Sequence, residues 1–212
     1  MAGIFFMKKS HPILILLAGG KSSRMGQPKG LLKHNNNFWV LSQIETFIGT
    51  EVIIGLGHDT QLYFNAIPWL KDATKTAITY KEKQIRVVIN PNPKFGLFST
   101  LQSILKRVDL NQQAFILPID VPLFNEQEQR KLSIGENVIV IPKYQDKKGH
   151  PIKITPKFHQ SLLNINLSDM NARLDFQIKK ITPSEISFIE VSDGVCIQNL
   201  NTPKDWQVFI SD

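Results

Sequence analysis

The strongest constraint on this chain is a repeated alternation. Short apolar runs, Ile13 to Leu17, Glu51 to Leu56, Ile85 to Ile89, Ala114 to Leu117, Val138 to Ile141 and Phe188 to Val191, are bounded by turn-forming residues and read as buried strands. Between them the spacing is helical. In FWVLSQIETFI the residues Val40, Leu41, Ile44, Phe47 and Ile48 fall on one helix face. In FSTLQSILKRV, Leu101, Ile104, Leu105 and Val108 do the same, with Ser99 or Thr100 expected as N-cap. Strands joined by helices of this length form βαβ units, so the expected architecture is an open three-layer α/β/α sandwich, Rossmann-like, on a mainly parallel sheet. The 212 residues, 42% of them hydrophobic, suffice for one well-buried core but are short for two. A single α/β domain over residues 11–212 is expected, with 1–10 as a flexible extension. The Asn-rich HNNN at 34–37 reads as a tight turn.

Several function classes are disfavoured by the same reading. The apolar run from Ile13 to Ala18 is below the about 7–15 residues of a signal-peptide core, and Lys21 and Arg24 follow where a cleavage site would lie. No run approaches the roughly 18 residues of a membrane span. A cytoplasmic protein without a membrane partner is expected. The lone cysteine, Cys196, permits neither an internal disulfide nor a thiolate metal cluster. A formal charge of +7 favours anionic ligands, but the basic residues are scattered and no aromatic-basic signature of nucleic-acid binding accompanies them.

In open α/β sheets ligands bind beyond the carboxyl ends of the strands. Directly after the first strand comes LAGGKSSRMGQPKGLL. Ala18, Gly19 and Gly20 let backbone N–H groups approach a bulky anion. Ser22 and Ser23 add hydroxyls, and Arg24 and Lys29 place two cations across a turn marked by Gly26 and Pro28. A glycine-rich turn with solvated cations would have the same composition. The spacing excludes a P-loop, because Gly26 is followed by Gln27 rather than Lys, and no G-x-G-x-x-G is present. After the fourth of the apolar runs, AFILPIDVPLF holds Asp120 between Pro118 and Pro122. Prolines on both sides restrict the backbone there. A fixed carboxylate beside phosphates suits Mg²⁺, which takes one or two carboxylates plus substrate oxygens and waters; a turn aspartate capping the segment NEQEQRKL is the alternative.

The first loop resembles throughout the signature L-A-[GA]-G-x-S-x-R-M-G-x-x-K-x-L of the MobA-like nucleotidyltransferases, and P-x-D-x-P resembles that family's metal-binding motif. The resemblance implies the nucleotide-diphospho-sugar transferase-like α/β/α fold. It also implies transfer of a nucleotidyl group from GTP or CTP to a phosphorylated acceptor, most specifically the molybdenum cofactor precursor molybdopterin. By position, Leu17, Ala18, Gly19, Gly20 and Ser22 would contact the NTP, Arg24 and Lys29 would grip its phosphates, and Asp120 would bind Mg²⁺.

Weaker matches follow. NPNPKFGLFSTLQSIL resembles a family segment in which Asn90 would contact the nucleotide and Gly96 and Ser99 the acceptor. Gly149-His150-Pro151 resembles the G-H-P of the cytidylyltransferases, which makes His150 an acceptor-site residue; nothing nearby in sequence marks it for proton transfer. SDMNAR resembles G-D-x-G-A-R, retaining Asp169 and Arg173 while Ser168 and Asn171 replace the glycines. NLNTPKDW resembles the family's closing motif. There Asn201 stands where the cytidylyltransferases carry an aspartate and would be a second, neutral metal ligand, while Thr202, Pro203 and Asp205 read as a helix start. LAGG favours the guanylyltransferases over the LAAG of cytidylyltransferases, and the other segments favour the reverse. The family role also implies transient contact with molybdoenzyme maturation proteins. The competing readings are a sugar-phosphate or alcohol-phosphate nucleotidyltransferase on the same fold and a non-catalytic nucleotide-binding protein.

Overall fold

A computed structural model describes residues 12–107 and 111–211; the extension expected at 1–10, and Val108, lie outside the described residues. Strand β1 (Ile13–Leu17) leads into the glycine-rich loop and a 3-10 turn, Lys29–Leu31. A hairpin of β2 (Lys33–His34) and β3 (Asn37–Phe38) follows, turning through Asn35 and Asn36 at φ 48° and 62°. Asparagine tolerates this left-handed backbone, which the tightest hairpin turns require. Next come α1 (Trp39–Thr46), β4 (Glu51–Leu56), α2 (Thr60–Ala66), α3 (Trp69–Asp72), β5 (Ile78–Tyr80), β6 (Lys83–Ile89) and α4 (Gly96–Leu105). The second half runs β7 (Ala114–Pro118), α5 (Glu126–Ile134), β8 (Ile139–Tyr144), β9 (Lys147–Lys148), β10 (Ile152–Ile154), α6 (Pro156–Leu162), α7 (Leu174–Ile178), β11 (Ile186–Glu190) and α8 (Pro203–Ser211). No helix among the described residues is long and apolar enough to cross a membrane.

The strands form one sheet in the order β11-β8-β10-β7-β1-β4-β6-β5, with β9 on β8. Its centre is parallel: β1 pairs with β7 and β4, in register Leu16↔Leu117 and Leu16↔Ile54, and β4 pairs with β6. Every residue of β1 is buried, which is why its sequence is continuously apolar rather than alternating. Alternate side chains still face opposite ways. Leu14 and Leu16 enter one core with Trp39, Val40 and Ile44 of α1, whereas Ile13, Ile15 and Leu17 enter the other with Leu101, Ile104 and Leu105 of α4. Each such aliphatic side chain contributes about 1.5–3 kcal/mol on full burial. Two cores on two faces make the three-layer sandwich.

Two local features differ from expectation. Ser99 and Thr100 are not N-caps: α4 begins at Gly96, and both side chains lie buried within the helix. Gly96 starts it at φ 78°, a conformation open to glycine. Strand β10 is also absent from the sequence reading. It inserts antiparallel between β7 and β8, and its central Lys153 is buried, donating to the carbonyls of Ser133 and Gly135 and to Gln113 Oε1. Ile152-Lys153-Ile154 is too short for its alternation to mark a strand, and that alternation would place Lys153 on an exposed face.

Candidate active site

Three segments converge at the carboxyl end of β1 and its neighbours. The glycine-rich loop leaves the sheet with Ala18 N–H still bonded to Gly55 O at 2.8 Å. Gly19 then lies against α4 and the loop after β4. A Cβ there would sit 2.5 Å from Thr100 Oγ1, and a Cβ on Gly57 would sit 2.8 Å from Gly19 O. Gly20 is half-buried, and a Cβ there would make only an ordinary contact, 3.9 Å from Leu97 Cδ2. The loop turns through Ser22 at φ 49° and Gly26 at φ 74°, anchored by buried Met25, whose N–H bonds to Ser22 O. Ser22 Oγ accepts from Lys29 N–H at 3.2 Å. Arg24 projects into solvent on the rim.

Lys29 is fixed from both sides. The next N–H, that of Gly30, is buried and donates to Tyr63 Oη of α2 at 3.2 Å. Lys29 Nζ then donates to Asp120 Oδ2 at 2.9 Å and to Asn201 Oδ1 at 2.8 Å. The Lys29 and Asp120 side chains are only 11% and 21% exposed. This three-part contact spans 172 positions of sequence.

The Asp120 loop is held by more than its prolines. Trp39 Nε1 of α1 donates to Ile119 O, Gln43 Nε2 donates to Val121 O, and Leu123 N–H donates to Gln43 Oε1. Asp120 does not cap the following helix; Asn125 does, accepting from Glu128 N–H. Asp120 O accepts from Leu200 N–H at 2.8 Å, which ties the final loop to this one. That loop is set by the expected helix start. Asp205 Oδ2 accepts from the N–H groups of Asn201 and Thr202, and Thr202 Oγ1 accepts from Asp205 N–H. Hydrogen bonds from Thr202 foremost, aided by Asn201 N–H and the Arg24 charge, hold the Asp205 carboxyl below its ordinary pKa.

Asp120 and Asn201 thus offer one carboxylate and one amide oxygen to a single cation-sized point. Hard oxygen donors of this kind fit Mg²⁺. No group of three or more His, Cys, Asp and Glu able to hold a metal occurs among the described residues, so the remaining ligands would come from substrate and water.

Beside this centre lies a cleft of about 660 Å³, floored by apolar residues including Leu17, Leu101, Ile116 and Ile152. Gly96, His150 and Arg173 line it, as do Lys148 and Lys179, which sequence reasoning missed because exposed lysines carry no motif. Burial pushes the His150 pKa below 6.5, outweighing the hydrogen bond to Ile116 and the Asp120 charge. The imidazole is therefore neutral at neutral pH, with a buried Nδ1 lacking a hydrogen-bond partner. Gly149 is required behind it, since a Cβ would meet Cys196 O at 2.6 Å.

Three predicted residues stand apart. Asn90 is buried, its Nδ2 donating to Ser99 Oγ at 2.7 Å and Thr100 Oγ1 at 3.0 Å and its Oδ1 accepting from Asn92 N–H. Asn90 and Ser99 support the loop from beneath rather than facing the cleft. Asp169 is exposed and closes its own turn by accepting from Asn171 N–H.

The chain resembles known proteins over most of its length. A sequence profile of the MobA-like NTP transferase domain matches residues 14–178. A molybdenum cofactor guanylyltransferase of Campylobacter jejuni is 25% identical over 205 residues, covering 93% of this chain and 95% of the relative. Among solved structures, Rv0371c of Mycobacterium tuberculosis superposes with a TM-score of 0.72 at 18% identity, over 97% of this chain and 100% of that one, and has also been solved in complex with manganese. A nucleotidyl transferase from Methanothermobacter gives a TM-score of 0.71 at 16% identity, over 95% and 96%. With the glycine-rich loop, Lys29 and Asp120 assembled at the head of the parallel centre of the sheet, the chain belongs to the MobA-like NTP transferase family of nucleotidyltransferases.

Proposed function

We propose that this nucleotidyltransferase moves GMP from GTP to the phosphate of molybdopterin, releasing pyrophosphate, with Mg²⁺ as the metal. The observation that carries the reading is the Lys29 ammonium held between Asp120 and Asn201 below the glycine-rich loop. The guanylyltransferase relatives and the LAGG form of the loop favour GTP; the Gly149-His150-Pro151 segment, of which Gly149 and His150 line the cleft, makes CTP the comparison.

An acceptor phosphate oxygen attacks the α-phosphorus in line, forming one P–O bond as the bond to the leaving pyrophosphate breaks. That oxygen is already ionised at neutral pH, so no protein nucleophile or base is required, and neutral His150 is not asked to be one. What the chain supplies is position and charge. Backbone N–H groups around Gly19 and Gly20 receive the nucleotide phosphates, and Arg24 and Lys29 offset charge growing on the leaving group. Asp120 and Asn201 would hold Mg²⁺, which when bound neutralises phosphate charge. The apolar floor of the cleft takes the body of the acceptor, and Lys148, Arg173 and Lys179 its anionic group.

The test is pyrophosphate release with GTP and CTP, each offered molybdopterin and, separately, sugar and alcohol phosphates. GTP with molybdopterin should be the productive pair, and Asp120→Ala should lower its rate by at least about 100-fold, the scale of losing one charge-stabilising group. Full activity of Asp120→Ala would refute the metal assignment, and turnover of a sugar phosphate instead would refute the acceptor.

A further inference from the structure

Lys29 is assigned above to the nucleotide phosphates, yet its ammonium already has two partners. Its Nζ lies 2.9 Å from Asp120 Oδ2 and 2.8 Å from Asn201 Oδ1, the same two oxygens that a divalent ion would require. The backbone that carries the ammonium is fixed, because Gly30 N–H is tied to Tyr63 Oη and Lys29 N–H to Ser22 Oγ. The backbones that carry the two oxygens are held as well, Leu200 N–H donating to Asp120 O and Asn201 N–H to Asp205 Oδ2. A divalent ion on those oxygens would face a positive charge at about contact distance, in a place where little water remains to screen it. One cation must leave for the other to enter. The charges also cancel as they stand, since Asp120 carries one negative charge, Lys29 one positive, and Asn201 none.

We infer that Lys29 is a resident counter-cation that keeps the metal seat closed until an anion draws the ammonium away. In nucleotide-free protein the seat holds the ammonium and has no net attraction for a free divalent ion. Phosphate oxygens arriving at the glycine-rich loop give Lys29 an alternative partner within reach of side-chain rotation, and its departure uncovers the two oxygens. Metal and nucleotide then enter together, and a metal-first order is disfavoured. The neutral residue at 201 belongs to the same device: an aspartate there would leave a net negative charge and retain free metal. The inference rests on the nucleotidyltransferase reading only for the identity of the anion.

The test is Mn²⁺ binding to the full chain without nucleotide, followed by electron paramagnetic resonance of free Mn²⁺, in wild type, Lys29→Met and Asn201→Asp. Lys29→Met keeps the length of the stem and removes the charge. It should bind Mn²⁺ at least about tenfold more tightly than wild type, within the range of ordinary site–site coupling, and adding Asp120→Asn should abolish the gain. Asn201→Asp leaves Lys29 in place and should also tighten Mn²⁺ binding, which keeps the test decisive if Lys29→Met fails to fold. Wild type and both variants binding Mn²⁺ equally would overturn the inference. A separate calorimetric titration with a non-hydrolysable GTP analogue in excess Mg²⁺ reads the underlying function: failure of the analogue to bind would count against the nucleotidyltransferase reading, whereas the nucleotide-free series judges the ammonium alone.

Discussion

The contact between Gly19 and Thr100 allows a worked prediction. A Cβ on residue 19 would lie 2.5 Å from Thr100 Oγ1, 3.1 Å from its Cγ2 and 3.3 Å from its Cβ, where ordinary contacts begin at 3.4 Å. The first distance is short by nearly an ångström. Thr100 is held where it is, because its Cγ2 occupies the space that a Cβ on Gly55 would take, and its Oγ1 accepts from Asn90 Nδ2 at 3.0 Å. Gly19→Ala should therefore cost the about 1–3 kcal/mol typical of overpacking. Thr100→Ala alone should cost a similar about 1–3 kcal/mol by leaving one buried N–H of Asn90 without its acceptor. In the double variant the new methyl group enters the space that Thr100 vacates, so the combined loss should fall short of the sum by about 1 kcal/mol or more, a coupling expected only of residues in contact. Urea denaturation of the four proteins, compared at constant m-value, measures it. Additivity within about 0.3–0.5 kcal/mol would refute the packing account.

Four further outcomes follow from single contacts. Tyr63→Phe removes the acceptor of the buried Gly30 N–H and should lower stability by about 1–3 kcal/mol, measured by denaturation, while weakening binding of a GTP analogue because Lys29 is the adjacent residue. Lys153→Met should cost about 1–3 kcal/mol for each carbonyl, of Ser133 and Gly135, left without this donor; an unchanged denaturation midpoint would count against it. Burial chiefly, with the Asp193 charge, pushes the Cys196 thiol up to about 11. Its folded pKa exceeds the ordinary 9.0, so its contribution to stability is complete below pH 9 and lost as the pH rises towards 11; at pH 8 the native thiol should resist a disulfide reagent that labels it on unfolding. His150 is shifted the other way, below 6.5, so its contribution is complete above that pH and fades as the pH falls through the folded value; its ring resonances in NMR should titrate below those of an exposed histidine.

Some of this was readable residue by residue. The continuous apolar run of β1 needs two covered faces, and the loop that follows it, with Gly19, Gly20 and Gly26, Ser22 and Ser23, and Lys21, Arg24 and Lys29, has the composition of an anion-binding loop and equally of a solvated turn. Asp120 was legible because prolines bracket it, and the helix start at Thr202 because Thr, Pro and Asp sit at their favoured positions. The surroundings of other residues came only with the fold. Asn90 and Ser99 resemble a family segment, and the fold buries both, Asn90 just after β6 and Ser99 within α4, where Asn90 donates to Ser99 Oγ and Thr100 Oγ1. Lys148 and Lys179 reach the cleft only because distant elements bring them to it.

Local chemistry, then, determined what could be read locally: which runs become strands, where turns fall and which carboxylate is bracketed by prolines. The tertiary structure alone decided what depends on distance between remote positions. Residues 29, 120 and 201 share one ammonium because three separate loops leave the same end of one sheet. Gly19 is a glycine here because Thr100 of a different element occupies the space of its missing Cβ. Close packing is a property of neighbours in space, and no pattern along the chain records which side chain will arrive on the other side.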